Sequence, residues 1–485
     1  MTFAPTPEQV AVVDAARNTS YNLIIDALAG AAKTSTLVLL AQALPDTRIL
    51  CLAFNKRIAT EMQERLPPNC HAMTLNSLGH RVWGEVLSKR LILEKDKSFF
   101  LLTEAVKALP KFAQEEAYTD FADILKEIEQ GKSAGWIPDG HFKNAKGLLD
   151  DAEFFGGLEE RPSSVRINLL RDVTVRSIEK GLAGVIDFSD QIMLPTVFPS
   201  MFPHYPLVMV DEAQDLSALN HATLRKLARR RLIAVGDPNQ AIYGFRGAHE
   251  DSMSLLRSSF KMRPLQLTVS FRCPKAVVTE AQWRAPHMRY PEWAKEGSVR
   301  TLTTWSIGDV PDQAAIICRN NAPLFGMAIK LLKNGRYPQL LGNDIGKYLV
   351  KVLKKFGKPS LERPLVYAAI EDWKNEKLAK SRNPGKVNDQ AICLRIFADQ
   401  GNTLGDAIAY AEHLFNSQGP IQLMTGHKSK GLEFDTVFFL DEDLINKEDA
   451  QERNLRYVIQ TRAKQELIYV KSADFNDPMD EGDNQ

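Results

Sequence analysis

Two hydrophobic patterns alternate along the chain. Short unbroken apolar runs, "YNLIIDA" (Tyr21–Ala27), "RILCLAF" (Arg48–Phe54), "LVMV" (Leu207–Val210) and "RLIAVGD" (Arg231–Asp237), predict strands buried on both faces. Between them, "KTSTLVLLAQAL" (Lys33–Leu44) has helical apolar spacing, and in "NKRIATEMQERL" Ile58, Met62 and Leu66 recur at four-residue steps on one face. Strand and helix in alternation predict a parallel α/β sheet, which binds ligands at the carboxyl ends of its strands.

A second α/β pattern is expected from Leu265, through "LQLTVS", "AAIICR" (Ala314–Arg319), "TVFFLD" (Thr436–Asp441) and "QELIYVKS" (Gln465–Ser472). Each pattern is interrupted, the first by a charged, helix-leaning block and the second by a polar stretch. The expected organisation is a first α/β domain from residues 1–85 and 177–264 with an insertion at 86–176. A second domain from 265–345 and 418–473 carries a shorter insertion at 346–417, and an acidic tail, 474–485, is expected to be disordered. Several domains suit a chain of 485 residues.

Composition narrows the class without naming a partner. The chain is 44% hydrophobic and 25% charged, the balance of a soluble globular protein. Its net charge of +1 excludes a wholly electrostatic nucleic-acid binder but leaves room for a local basic groove. Five scattered cysteines without a C-x-x-C pair argue against a disulfide framework or zinc site and for a reducing, cytoplasmic setting. No apolar run is long enough to span a membrane.

Candidate chemistry begins at "ALAGAAKT" (Ala27–Thr34), a phosphate-loop pattern with alanine at both glycine positions. Lys33 would reach the phosphates and the Thr34 hydroxyl would bind Mg²⁺. Ala29, Gly30, Ala31, Ala32 and Ser35 complete the loop, and Ala32 is expected at ordinary helical φ. "LVMVDEAQD" delivers Asp211 as a metal ligand and Glu212 as the carboxylate that orients or deprotonates water. "VGDPNQAIYGFRGA" places Gln240 to sense a γ-phosphate, with Tyr243, Phe245 and Arg246 suited to stacking on single-stranded bases.

Taken in order, these peptides resemble the UvrD/Rep/PcrA-like superfamily 1A DNA helicases, with "GDPNQAIYGFRGA" most like the Fbh1-like branch. The match covers nearly the whole chain apart from the insertions. It extends to "PTPEQ", "AFNKRIATEM", "TLNSLGH", "TVSFRCP", "AIICRNNAP", "LMTGHKSKGLEFDTVFF" and "NLRYVIQTRAKQELIYV". The resemblance implies two RecA-like parallel-sheet domains with ATP in the cleft between them, each interrupted by a mainly helical insertion.

Site roles follow from the same resemblance. Gln9 would read the adenine edge, Phe271 stack on adenine and Glu433 meet the ribose, while Arg272 and Arg462 would be arginine fingers. Phe54, Asn55, Thr74, Asn76, Thr425 and His427 would face DNA. The implied activity is ATP- and Mg²⁺-dependent translocation 3′ to 5′ on single-stranded DNA with duplex unwinding, in replication, repair or recombination. Expected partners are single-stranded DNA, duplex junctions and replication or repair proteins, with no membrane, and the chain is expected to be a monomer. An ATP-gated single-stranded DNA clamp without motor activity is the alternative.

Overall fold

Four fully buried apolar residues, Leu207–Val210, and five more, Leu232–Gly236, form neighbouring central strands, as their uniform hydrophobicity requires. The computed structural model describes residues 4–158, 161–242, 251–341, 343–380 and 384–476. Tyr243, Phe245, Arg246 and the tail from residue 477 lie outside the described residues. The chain divides into two units, residues 1–27 with 32–267, and residues 28–31 with 268–485.

The first unit is built on a six-stranded, wholly parallel sheet. Its strands run in the order Cys70–Met73, Ile49–Leu52, Leu207–Val210, Leu232–Gly236, Leu23–Ala27, Arg263–Leu267. Ile24, Leu50, Val208 and Ala234 share one core with Leu224 and Leu256 from covering helices. The helical insertion has its own core around Trp136, stacked on Phe154 at 4.1 Å, with Leu102, Ile128 and Leu170.

Arg263–Leu267 corrects an expectation. The strand that was to open the second sheet pairs instead with Leu23–Ala27, register Ile25 to Leu265, at the edge of the first. Asn22 and Tyr21 secure it: the Asn22 carbonyl accepts from the Arg263 N–H at 2.8 Å, and the Arg263 guanidinium lies 3.3 Å from the Tyr21 ring centroid. Its largely exposed side chains suit an edge, which is why it lacks the solid apolar run of its neighbours.

The second unit carries another parallel sheet of six strands, in the order Pro338–Leu340, Ile421–Thr425, Ala315–Cys318, Phe434–Leu440, Ala463–Val470, Ser298–Thr301. Helices Asn343–Lys355, Arg363–Lys380, Pro384–Ala398 and Leu404–Asn416 fill the interval between its first two strands. Leu353, Leu394, Phe397 and Leu414 of those helices belong to the same core as Ile316, Leu423 and Phe438 of the sheet. The insertion is therefore welded to the sheet through shared apolar contacts.

Residues 475–476, expected within the disordered tail, form a short strand beside Trp305–Ser306. Phe475 is buried edge-on against Trp305, with ring centroids 4.9 Å apart, and that burial holds the segment down. Among the described residues, no helix is long and apolar enough to cross a membrane.

Candidate nucleotide and nucleic-acid site

In the first unit the candidate groups gather at the carboxyl ends of adjacent strands. Lys33 begins the helix Lys33–Gln42, whose start carries no side-chain cap, so its first-turn amides are left for an anion. Ala32 precedes it at φ 56° and ψ 42°, in the left-handed region and not at the helical φ expected of it. The turn needs the geometry a glycine would adopt freely. Ala32→Gly is expected to stabilise the first unit by about 1 kcal/mol and to raise its thermal midpoint by about 2 °C, as calorimetry would record.

The strand Leu207–Val210 delivers Asp211, whose N–H still pairs with the Leu52 carbonyl at 2.9 Å. The Thr34 hydroxyl donates to Asp211 Oδ2 at 3.2 Å. Glu212 follows in the left-handed region, φ 52°, and its carboxylate stands 3.5 Å from Lys33 Nζ. Burial and the Glu212 charge push the Asp211 carboxyl up to about 6, opposed by Lys33. Burial also raises Asp237, again opposed by Lys33, and raises Asp26 with help from Asp237. Lys33 is thus the cation that opposes the upward shifts of both Asp211 and Asp237.

Two supporting residues escaped the sequence reading. Gln214 donates through Nε2 to Glu212 and accepts at Oε1 from the Asp237 N–H at 3.0 Å, tying the two strand ends together. It approaches so closely that a Cβ on Gly236 would lie 2.5 Å from Gln214 Oε1. Buried Asp237 in turn accepts from Gln240 Nε2 at 2.7 Å and from the Asn239 N–H at 3.0 Å. The quoted "DEAQD" and "GDPNQ" contained both residues, but their role is visible only once the strands are neighbours.

Thr34 Oγ1 and Asp211 Oδ2 fit a Mg²⁺ site. Their 3.2 Å separation is close to the roughly 3 Å between adjacent ligands of an octahedral ion with bonds of about 2.1 Å. Among the described residues no group of three or more His, Cys, Asp or Glu side chains could hold a metal.

Gln9 is buried and already used at both ends of its amide. Oε1 accepts from the Thr6 N–H at 3.0 Å and Nε2 donates to Thr36 Oγ1 at 3.0 Å, completing the capping box of helix Pro7–Asn18. The Ser35 hydroxyl accepts from Arg65 at 2.8 Å.

In the second unit, Arg272 donates through Nε to Glu433 at 2.6 Å, so two of the expected nucleotide residues form one ion pair. Gly30 accepts at its carbonyl from the Phe271 N–H at 2.9 Å, and the Ala29 N–H donates to the Tyr457 hydroxyl at 3.0 Å. Tyr457 is a further contact that sequence reasoning missed. Gly30 has φ +74°, and a Cβ there would lie 2.4 Å from Ser270 Oγ, so this glycine of the loop is required. Arg462 is 1% exposed, donating to Val458 O at 2.7 Å, Leu432 O at 3.1 Å and Thr461 Oγ1 at 3.1 Å. Its guanidinium is turned into its own unit's backbone. Phe271 lies 6.2 Å from the exposed Trp293 ring at an interplanar angle of 31°.

Two family models match the chain: the UvrD/REP helicase N-terminal domain over residues 87–261 and the UvrD-like helicase C-terminal domain over residues 420–470. F-box DNA helicase protein 1 of Schizosaccharomyces pombe is 23% identical over 96% of this chain and 57% of its own length. F-box DNA helicase 1 of Gallus gallus is 25% identical over 92% of this chain and 47% of its own. These matches and relatives support a UvrD/Rep-like superfamily 1 helicase close to Fbh1. The PcrA helicase of Leuconostoc citreum is 26% identical over 63% of this chain and 43% of its own length. The chain spans about half the length of the curated relatives it matches.

The residues that this UvrD-like chain was expected to turn toward DNA divide into two groups. Phe54 is 47% exposed just beyond strand Ile49–Leu52. Asn55 and Thr74 instead cap helices, accepting from the Ile58 N–H at 2.9 Å and the Ser77 N–H at 3.1 Å. Asn76 donates to the Phe188 carbonyl at 3.0 Å, and Phe188 itself is 67% exposed. That ring was missed, and "VIDFSD" gave little warning of it. Behind it, Lys97, Lys132, Asp187 and Asp190 form a fully buried ionic quartet that fixes the loop, with Asp187 and Asp190 each accepting the other's N–H at 3.0 Å. In the second unit Thr425 stands at the start of the short helix Gly426–Ser429 without capping it, and His427 is half-buried on that helix.

Proposed function

We propose that the chain is an ATP-driven motor that moves 3′ to 5′ along single-stranded DNA and unwinds duplex, in replication, repair or recombination. The observation that carries this reading is the linked set Lys33–Glu212, Thr34–Asp211 and Asp237–Gln240, assembled at the ends of neighbouring strands in the same unit as the exposed Phe54 and Phe188 rings. A hydrolytic centre and base-stacking surfaces in one unit are what coupling requires.

Lys33 and the open helix start hold the phosphates. Thr34 and Asp211 would hold Mg²⁺, which neutralises phosphate charge when bound. Glu212, positioned by Lys33 and Gln214, orients the attacking water and accepts its proton. Gln240, tethered to Asp237, links the phosphates to the segment that follows it. In the second unit Arg272 is held by Glu433, and Arg462 by the backbone carbonyls of Val458 and Leu432. The contact set of Arg462 favours the alternative of an ATP-gated clamp with little turnover.

Phosphate release measured with and without an oligothymidylate separates the two. The motor predicts slow release alone and a rise of at least about tenfold, 1.4 kcal/mol of barrier, with the oligonucleotide. Equal rates would leave the clamp.

A further inference from the structure

The segment "KRLILEKDKSFF", Lys89–Phe100, presents a surface that the ATP-binding groups do not use. Ile92 and Leu93, 63% and 45% exposed, form a short strand beside Val185–Ile186. Phe99 and Phe100, 44% and 48% exposed, stand on the outer side of helix Lys97–Ala108, whose Leu101, Leu102 and Ala105 face the core. Phe99 is braced edge-on by Phe121 at 5.4 Å. Lys97 bonds to Asp190, and Ser98 Oγ donates to Asp187 Oδ2 at 3.3 Å. The residues on either side of Phe188 and those just before Phe99 are therefore anchored in one buried cluster. Lys89, Arg90 and Lys95 are exposed and make no ion pair among the described residues.

We propose that this strip is a second stretch of single-stranded nucleic-acid surface, continuing from Phe188. Phe99 and Phe100 stack on bases, while Lys89, Arg90 and Lys95 face the phosphates. Exposed rings interleaved with unpaired cations suit unstacked bases on a polyanion, whereas the core of a protein interface is depleted of lysine. The inference rests on the single-strand binding proposed above and adds to it a longer footprint.

Binding of an oligothymidylate series of increasing length to the full chain tests it. Affinity of the unaltered chain should rise with length to a plateau. Phe99→Ala/Phe100→Ala should leave the shortest oligonucleotides unaffected and weaken the longest by about fivefold or more, about 1 kcal/mol. Phe99→Trp/Phe100→Trp should restore the loss. Lys89→Ala/Arg90→Ala/Lys95→Ala should reduce the slope of log affinity against log salt by about 2 for the longest oligonucleotide. If both variants keep the original length dependence and slope, the strip is not a nucleic-acid surface although the proposed function stands. A change in self-association by light scattering with unchanged DNA binding would assign it to a second copy and also overturn the inference. An unaltered chain that binds no oligothymidylate overturns both readings.

Discussion

Glu212→Gln is expected to lower single-strand-stimulated ATP hydrolysis by about 10²–10⁴-fold, the range general-base catalysis contributes. The substitution keeps the side chain's length and shape and removes the charge that accepts a proton. Glu212 is well placed for that role: its left-handed backbone turns it out of the strand direction, Lys33 stands 3.5 Å away, and Gln214 donates to its other oxygen. Its loss should appear in the chemical step, not in nucleotide binding, because Lys33, Thr34 and Asp211 remain. Single-turnover phosphate release together with binding of a fluorescent ATP analogue separates the two. Normal release by the variant would remove Glu212 from the mechanism.

Lys33→Ala should have the other large effect and should strike binding as well. A positioned charge contact to the reacting group is worth about 2.7–4 kcal/mol, or 10²–10³ in rate. Lys33 also opposes the upward shifts of Asp211 and Asp237. Without it, burial and the Glu212 charge act on Asp211 against only the hydrogen bonds from the Glu212 N–H and the Thr34 hydroxyl, so the metal ligand that already sits at about 6 becomes still harder to ionise. Both ATP affinity and turnover should collapse, while oligothymidylate binding through Phe54 and Phe188 persists. A Lys33→Ala chain that hydrolyses ATP at the original rate would show that the acidic cluster is not the catalytic centre.

Much of this architecture was legible because buried parallel strands write themselves as solid apolar runs. Leu23–Ala27, Leu207–Val210 and Leu232–Gly236 were all read as strands, and the acidic carboxyl ends of the last two pointed to the candidate site. Edge strands carry less of that signal: Arg263–Leu267 was placed in the wrong sheet, and Ser298–Thr301, half-buried at best, was not seen. The motifs located Lys33, Thr34, Asp211 and Glu212, which the fold brings together. What sequence could not show was the conformation each residue adopts. Ala32 is left-handed, Arg462 faces inward, and Asn55 and Thr74 spend their side chains on helix caps. Gln214 and Tyr457 act through partners distant in sequence, so no local pattern announces them.

Unwinding of paired duplexes that differ only in a 3′ or a 5′ single-stranded tail is the most direct test of the central claim. With ATP and Mg²⁺, the 3′-tailed duplex should be separated and the 5′-tailed one left intact, and Glu212→Gln should separate neither. Separation of neither duplex by the unaltered chain, or of the 5′-tailed one alone, would contradict a 3′ to 5′ motor.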